Sequence, residues 1–356
     1  MIPCLEVQLT QPSRQLLAID VGAGTQDILL YDADKPLENC YQLVLPSQTT
    51  VLARRIGKAT EARLDIFLCG SLMGGGPCVS AMKKHLRAGL SIFATPEAAK
   101  TIRDNPNEVR AFGVQIVDAQ PPDTHPIRTG DLDIPALRET LARFELELPA
   151  LFAVAVQDHG ETITESQRRF RFRHWEQFLH AGGHLDDLAY RQIPPHLTRM
   201  RAVQEEVPGA LMMDTGSAAI LGALQDPVAA SRQAQGLTVV NLGNQHTIAF
   251  LVRGETVYGV LEHHTVILNA ETLADYIGRF QAGTLSNDQV LGDNGHGCCV
   301  RGDYARGEPF AFVVATGPNR SMTEGLGWHA AAPHGDMMMT GPFGLVAAAR
   351  RLGLVE

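Results

Sequence analysis

Hydrophobic and polar positions follow two patterns along the chain, and the first of them lies near its start. Apolar runs at 16–21 and 27–31 flank the polar, glycine-rich stretch Gly-Ala-Gly-Thr. Short apolar runs that are joined by a glycine turn are typical of a β-hairpin. From 63 to 105 the pattern changes to strand, helix, strand, helix, with three consecutive glycines at 74–76. This alternation predicts an α/β sheet.

The opening pattern returns in the second half of the chain. At 236–252 two apolar runs again flank a polar turn that contains glycine. At a constant offset, positions 16–30 overlay on 237–251, Gly22 falls on Gly243, and most apolar positions keep their character. The repeat predicts two similar domains that each open with a hairpin and face one cleft.

The length of 356 residues is more than one compact core usually holds. We therefore expect two domains. The first is predicted at 1–228, with insertions, and the second at 229–356. The final helix of the second domain is expected to pack back on the first domain.

Composition narrows the class of protein. Hydrophobic residues make up 45% of the chain, as in a globular protein, and the net charge of −9 does not favour binding to nucleic acid. We see no apolar run that could span a membrane and no secretory signal. The cysteines are scattered rather than paired, at positions 4, 40, 69, 78, 298 and 299. A reducing cytoplasm is the expected location, whereas the small-molecule or protein partner and the oligomeric state stay open.

Five motifs occur in an order that resembles the actin-like ATPase superfamily, which includes actin, sugar kinases and heat-shock chaperones. They are "AIDVGAGTQD" (18–27), "MMDTGSAAILGAL" (212–224), "VVNLGNQHT" (239–247), "VVATGPNRS" (313–321) and "GDMMMTGPFGLVAAA" (335–349). They resemble the first phosphate loop, the first connecting helix, the second phosphate loop, the adenosine loop and the second connecting helix. The resemblance implies an α/β fold with two ribonuclease-H-like, actin-type domains that face a central nucleotide cleft. It also implies ATP and Mg²⁺ as cofactors.

A narrower resemblance is to an uncharacterised family within this superfamily. It rests on "SLMGGGP", "VQDHG", "MDTGSAAILGAL" and "LGDNGHG", which are spread over nearly the whole chain. Some members of that family are labelled as pyruvate formate-lyase activating enzymes. A radical activase needs three closely spaced cysteines to hold an iron–sulfur cluster, and no Cys-x₃-Cys-x₂-Cys occurs here. We therefore do not expect radical activase chemistry.

The first glycine turn has the residue types that a phosphate site needs. Gly22, Ala23, Gly24 and Thr25 allow the backbone to approach a phosphate closely. Asp20 ends the preceding strand and is predicted to hold Mg²⁺ through water and to take part in catalysis. A tight hairpin with a buried, hydrogen-bonded aspartate is the alternative.

Asp214 is the second predicted metal ligand, because the resemblance places it near the cation. It directly precedes the helix of small residues, so an ordinary helix N-cap is an equally good interpretation.

The second phosphate loop and the adenosine loop depart from the family pattern. Gly243, Asn244 and Gln245 are expected to bind phosphate, but Asn241 stands where the family has an aspartate. The site therefore has one negative charge fewer for Mg²⁺. In the adenosine loop, the residues predicted to bind the nucleotide are Thr316, Gly317 and Asn319.

Polar residues follow the buried strand that begins at 151. Strand ends are where catalytic groups gather in α/β sheets, so Asp158 is predicted as a general base and Gln157 as a residue that orients water. A polar strand end whose groups bond to the backbone is the alternative.

Charged and histidine-rich stretches elsewhere give weaker indications of anion or metal binding. Four arginines in 168–173 predict the solvated face of a helix, with contact to an anion as the alternative. Glu262, His263 and His264 could bind metal, but adjacent strand residues point to opposite faces. The loop around His296 is interpreted as a plain turn or a substrate loop. None of these stretches favours a zinc site on its own.

Two functions follow from the sequence. The leading one is an ATP-binding, actin-like protein that hydrolyses ATP with Mg²⁺ or transfers its phosphoryl group to a small molecule. The alternative is a non-catalytic module that senses nucleotide or phosphate and regulates a partner enzyme.

Overall fold

The computed structural model describes residues 12–304 and 310–356. Cys4 lies outside the described residues. The strands are β1 Gln15–Val21, β2 Thr25–Asp32, β3 Tyr41–Pro46, β4 Ile66–Gly70, β5 Ile92–Ala94, β6 Val114–Ile116, β7 His125–Thr129, β8 Phe152–Val156, β9 Ala189–Tyr190, β10 Leu211–Met213, β11 Leu237–Leu242, β12 His246–Arg253, β13 Thr256–His264, β14 Gly297–Val300, β15 Val313–Thr316 and β16 His329–Ala330. The α-helices are α1 Gln48–Glu61, α2 Pro77–Arg87, α3 Pro96–Ala99, α4 Pro106–Phe112, α5 Ile134–Ala142, α6 Gln167–His180, α7 Thr198–Glu206, α8 Thr215–Ala223, α9 Pro227–Gln233, α10 Ala270–Gln281, α11 Asn287–Gly292 and α12 Thr340–Arg351.

Two six-stranded sheets share the same topology in five of their strands. The first sheet has the order β3-β2-β1-β8-β10-β9 and the second has the order β14-β13-β12-β11-β15-β16. In each, three consecutive strands form an antiparallel meander, a later strand pairs in parallel with the first strand of the meander, and one more strand pairs in parallel with that later strand. The sixth strands, β9 and β14, are antiparallel additions at one edge of each sheet. This five-stranded order is that of a ribonuclease-H-like domain, and its occurrence twice gives the actin-type fold. The fold class expected from the sequence is confirmed.

A third sheet is inserted between β3 and β8. It contains β4 to β7 in the order β6-β5-β4-β7, all parallel, and has its own apolar core with α1 and α2. The strand–helix alternation at 63–105 therefore forms a separate sheet. It does not extend the first sheet, because β8 takes the place beside β1.

One apolar core joins the two six-stranded sheets. It includes Leu16 and Ala18 of β1 together with Val239 of β11 and Phe250 of β12. Helices α8 and α12 lie in this core, and every residue of α8 from 216 to 223 is buried. A helix that is apolar on all sides is stable only inside a protein, which explains the run of small residues.

Helix α12 comes from the end of the described chain but packs on the first sheet. It contacts α8 and strands β1, β2 and β8. The predicted boundary between 1–228 and 229–356 stays a prediction.

Among residues 12–304 and 310–356, none of the helices combines the length and the apolar character that crossing a membrane requires. The predicted cytoplasmic location stays a prediction.

Candidate functional site

A cavity of about 480 Å³ opens between the two six-stranded sheets, with the inserted sheet along one side. Its walls include both hairpin turns of the sheets, the triple-glycine loop at 74–76 and the residues that follow β8 and β15. The N-terminal end of α8 also reaches it. Segments that are distant in the sequence therefore meet at one cleft.

The turns β1–β2 and β11–β12 have matching geometry. The backbone N–H of Gly22 donates to the carbonyl of Thr25 at 2.9 Å, and that of Gly243 donates to His246 at 3.0 Å. These four residues are equivalent under the sequence repeat. The two turns approach each other, since a Cβ built on Gly24 would lie 3.6 Å from the amide nitrogen of the Asn244 side chain.

Most residues predicted to bind phosphate line this cavity. They are Gly22, Ala23, Thr25, Gly243, Asn244 and Gln245. Gly24 does not line the cavity, although it lies beside Asn244 across the gap. The first turn is held in place by α1, because Ser47 N–H donates to the carbonyl of Gly24 at 3.1 Å.

Asp20 lies at the base of the first turn. One carboxylate oxygen accepts a hydrogen bond from the hydroxyl of Thr215 at 2.5 Å, and the other oxygen lies against Gly341, where a Cβ would come within 1.9 Å. Burial is the main cause that raises the pKa of Asp20 to about 8, and nearby Asp27 adds to it. Burial also raises the pKa of Asp27 to about 6, and its buried Oδ1 has no hydrogen-bond partner. These two carboxyl groups would be stabilised in their charged form by a cation.

Asp214 is the N-cap of α8. One of its oxygens accepts from the backbone N–H of Gly216 at 3.0 Å, and its carboxylate pairs with Arg171 through contacts of 2.9 and 3.2 Å. The alternative interpretation of Asp214 as a helix cap describes this geometry. A direct bond to Mg²⁺ would compete with the ion pair.

Both carboxylate oxygens of Asp158 accept hydrogen bonds from the backbone. Its Oδ1 accepts from Gly160 N–H at 2.9 Å and its Oδ2 accepts from Met200 N–H at 3.0 Å. The two bonds tie the segment after β8 to the first turn of α7, as the alternative interpretation expected, and the role of Asp158 as a general base stays a prediction. Burial raises the pKa of Asp158, which the two backbone donors partly oppose.

Gln157 faces the cavity beside a histidine and a glutamate. Its side-chain amide donates to Glu262 at 3.1 Å and contacts the Nδ1 of His246. The predicted role in orienting water stays a prediction.

The adenosine-like loop is fastened to the second turn. Thr316 and Gly317 line the cavity, but the side chain of Asn319 donates to the carbonyl of Gly243 at 2.9 Å and does not line it. This bond joins two loops and uses one of the two amide N–H groups of Asn319, whose predicted contact with a nucleotide stays a prediction. Gly317 has a φ of +98° and packs against Leu242, so this position needs glycine.

Three imidazoles and one carboxylate meet at the floor of the cavity. They belong to His159 after β8, His246 on β12, Glu262 on β13 and His296 before β14, and one ligand atom from each lies within 4.8 Å of the others. The ring centroids of His246 and His296 are 4.4 Å apart. Burial is the main cause that lowers the pKa of His296 to about 3, so its ring is neutral.

Sequence reasoning did not assemble this cluster. In the sequence, Glu262 and His296 stand in separate stretches, and the strand pattern predicts that His263 and His264 point to opposite faces. The structure agrees on the latter point, because His263 lies on the other face of β13 against Tyr276, with ring centroids 5.2 Å apart. The pairing of His246 with His264 and of Glu262 with Gly297 across neighbouring strands brings the stretches together.

Arg171 is buried at the centre of the site, with only 4% of its surface exposed. Its guanidinium donates to Asp214, to Glu262 at 2.6 Å and to the carbonyl of Asp158 at 2.9 Å. The prediction that 168–173 forms a solvated face is therefore wrong at Arg171. Its two acidic partners lie far away in the sequence, so the local pattern could not show them.

Cysteines do not form a comparable cluster in the part of the chain that the structure describes. There, the one group of three or more His, Cys, Asp or Glu side chains that could hold a metal ion is the histidine–glutamate cluster. The five described cysteines are all free.

Solved structures with a similar arrangement include a Bacteroides thetaiotaomicron protein with actin-like ATPase fold and unknown function. It is 8% identical, with a TM-score of 0.37, over 95% of this chain and 98% of that chain. The ethanolamine utilization protein EutJ from Carboxydothermus hydrogenoformans is 8% identical, with a TM-score of 0.29, over 97% and 91%. The ROK hexokinase from Thermus thermophilus is 11% identical, with a TM-score of 0.24, over 68% and 47%.

A search of curated proteins gives no match. A family model does match residues 73–322, and the family is described as "Putative pyruvate format-lyase activating enzyme (DUF1786)". Since this match spans most of the 356 residues, the chain belongs to the DUF1786 family.

Proposed function

We propose that the cleft binds ATP with Mg²⁺ and that the protein hydrolyses ATP or transfers its terminal phosphoryl group to a small molecule. The observation that carries this proposal is the pair of equivalent glycine turns that face each other across one cavity. Glycine turns let backbone N–H groups approach phosphate oxygens closely. The cavity volume of about 480 Å³ lies within the usual range of small-molecule sites.

The acidic pair at the first turn supplies a place for Mg²⁺. Asp20 and Asp27 have raised pKa values because they are buried, and a cation beside them would favour their charged forms. Mg²⁺ usually binds one or two carboxylates, water and phosphate oxygens, which fits a cation shared between this pair and a nucleotide. In this arrangement Gln157 would orient the attacking water or hydroxyl.

The engaged carboxylates favour a second candidate function. Asp158 and Asp214 were the predicted base and metal ligand, and both are bonded to protein donors. A site with few free catalytic carboxylates suits a module that binds nucleotide or phosphate, changes the closure of the cleft and regulates a partner enzyme. Nucleotide binding without phosphate release would favour this function.

The test is calorimetric titration of the purified protein with a non-hydrolysable ATP analogue, with and without Mg²⁺. We expect Mg²⁺-dependent binding that Asp20→Asn weakens at least tenfold, because the amide keeps the shape of the carboxyl group but carries no charge. Asp118→Asn is the matched control, since Asp118 is exposed and does not line the cavity. A phosphate-release assay with ATP then separates the enzyme from the sensor. The absence of binding at millimolar analogue would overturn both.

A further inference from the structure

The histidine–glutamate cluster has the geometry of a metal site. Its members come from four segments, and the register of β12, β13 and β14 sets their positions. Ligand atoms of a tetrahedral metal ion with bonds of about 2.1 Å are about 3.4 Å apart. The four ligand atoms here lie within 4.8 Å of one another, so small side-chain shifts would bring them to bonding distance.

His296 carries the strongest indication. Only 3% of its surface is exposed, and neither ring nitrogen has a hydrogen-bond partner. Buried polar atoms without a partner are rare in folded proteins and destabilise them. His85 is equally buried, yet its Nδ1 lies 2.8 Å from the hydroxyl of Thr60 and its Nε2 lies 3.3 Å from the carbonyl of Ser91. His196 and His263 each leave only Nε2 without a partner, so among the described histidines His296 differs in that both of its buried ring nitrogens lack one.

The surrounding charges favour a cation. Arg171 contributes one positive charge, whereas Asp214 and Glu262 contribute two negative charges, so one negative charge is left over in a buried place. Arg171 also binds Oε2 of Glu262 at 2.6 Å, which leaves Oε1 on the side of His246, 3.0 Å from its Nδ1. Such an outer partner orients a ligand toward its metal ion.

We propose that His159, His246, Glu262 and His296 bind a divalent first-row transition-metal ion. Imidazole nitrogens suit zinc, iron, cobalt or nickel, whereas Mg²⁺ and Ca²⁺ prefer oxygen ligands. The site is thus chemically distinct from the Asp20 pair, and it does not rest on nucleotide binding. All its members except His296 line the cavity, so an ion bound there can offer a coordination position to an oxygen atom of a ligand in the cleft.

Cobalt(II) titration of the full-length protein after dialysis against a chelator tests the proposal. Visible absorption reports the coordination of Co²⁺, and Zn²⁺ competition reports the affinity for zinc. We expect one equivalent to bind in the absence of nucleotide. His296→Ala is expected to weaken binding about 100-fold, as loss of a ligand does at least as much as loss of an outer partner.

His263→Ala is the matched control, because His263 neighbours Glu262 on β13 but points to the other face. Far-UV circular dichroism checks that each variant folds. If His296→Ala does not fold, His159→Ala replaces it, because His159 is half-buried on the cavity side. Equal Co²⁺ binding by wild type and the folded ligand variant would overturn the proposal. So would the absence of binding by wild type at 1 mM Co²⁺, a concentration about a thousandfold above the Kd of a micromolar site. Asp20→Asn should keep Co²⁺ binding, which separates this result from the nucleotide experiment.

Discussion

Replacing Gly222 by alanine should destabilise the protein strongly, because this glycine lies where α8 and α12 cross. A Cβ at Gly222 would lie 1.8 Å from the carbonyl oxygen of Thr340 and 3.0 Å from the backbone nitrogen of Gly344. The opposite helix also needs glycine, since a Cβ at Gly344 would lie 1.9 Å from the carbonyl oxygen of Ala218. The two helix backbones are therefore in direct contact.

The distances set the magnitude. Ordinary contacts of a Cβ begin at 3.4 Å, so the helices would have to separate by about 1.6 Å at the crossing. Both neighbours are backbone atoms inside the shared core, and a side-chain rotation cannot relieve the overlap. Overpacking of a core usually costs about 1–3 kcal/mol, so we expect Gly222→Ala to lower the free energy of unfolding by about 3 kcal/mol.

Gly278→Ala is the matched control. Gly278 is also inside a helix, α10, but a Cβ there would meet nothing within 4 Å. Alanine is favoured over glycine in a helix by about 1 kcal/mol, so this variant should be slightly more stable than wild type. Urea unfolding followed by circular dichroism compares the three proteins. If the two alanine variants had the same stability, the helix crossing would not be as close as described.

Three further substitutions test other parts of the structure. Burial acts to raise the pKa of Asp226, but hydrogen bonds from Ala332 N–H and His329 hold this pKa below its usual value. The charged Asp226 therefore stabilises the fold above about pH 4, and this contribution is lost in acid. Asp226→Asn should therefore cost about 1 kcal/mol at pH 7, and urea unfolding should give a smaller difference from wild type at pH 3. Arg171→Met leaves two buried carboxylates unpaired and should cost about 3–5 kcal/mol in the same assay, whereas a neutral result would mean that these groups are not charged. Gly317→Ala should weaken binding of the ATP analogue at least tenfold. Gly317 has a φ of +98° and lies close to the backbone of Leu242, so an alanine there would displace the loop.

The hydrophobic pattern and the repeat were enough to predict the two sheets and the two turns. Both are local features: an apolar run of the right length forms a strand, and a glycine turn joins it to the next strand. The equivalence of Gly22 and Gly243, seen first as a match in the repeat, reappears as the same backbone hydrogen bond in both turns.

The inserted sheet and the histidine–glutamate cluster could not be predicted in the same way. A strand–helix alternation does not say which sheet a strand joins, since that depends on which strand occupies the place beside β1. The cluster depends on the register of β12, β13 and β14, and each of His246, Glu262 and His296 has an ordinary local sequence. Arg171 was misjudged because a buried ion pair is decided by partners that lie far apart in the chain.

The path of the chain through α12 has a consequence for synthesis. The apolar face of β1, with Leu16 and Ala18, is covered by a helix that the ribosome makes only after the whole second sheet. One apolar face of the first sheet therefore stays uncovered until most of the chain has been synthesised. Nascent chains with exposed apolar strands tend to aggregate. A fragment that ends at 228 would lack this helix, so cutting the gene between the two sheets should yield an insoluble half.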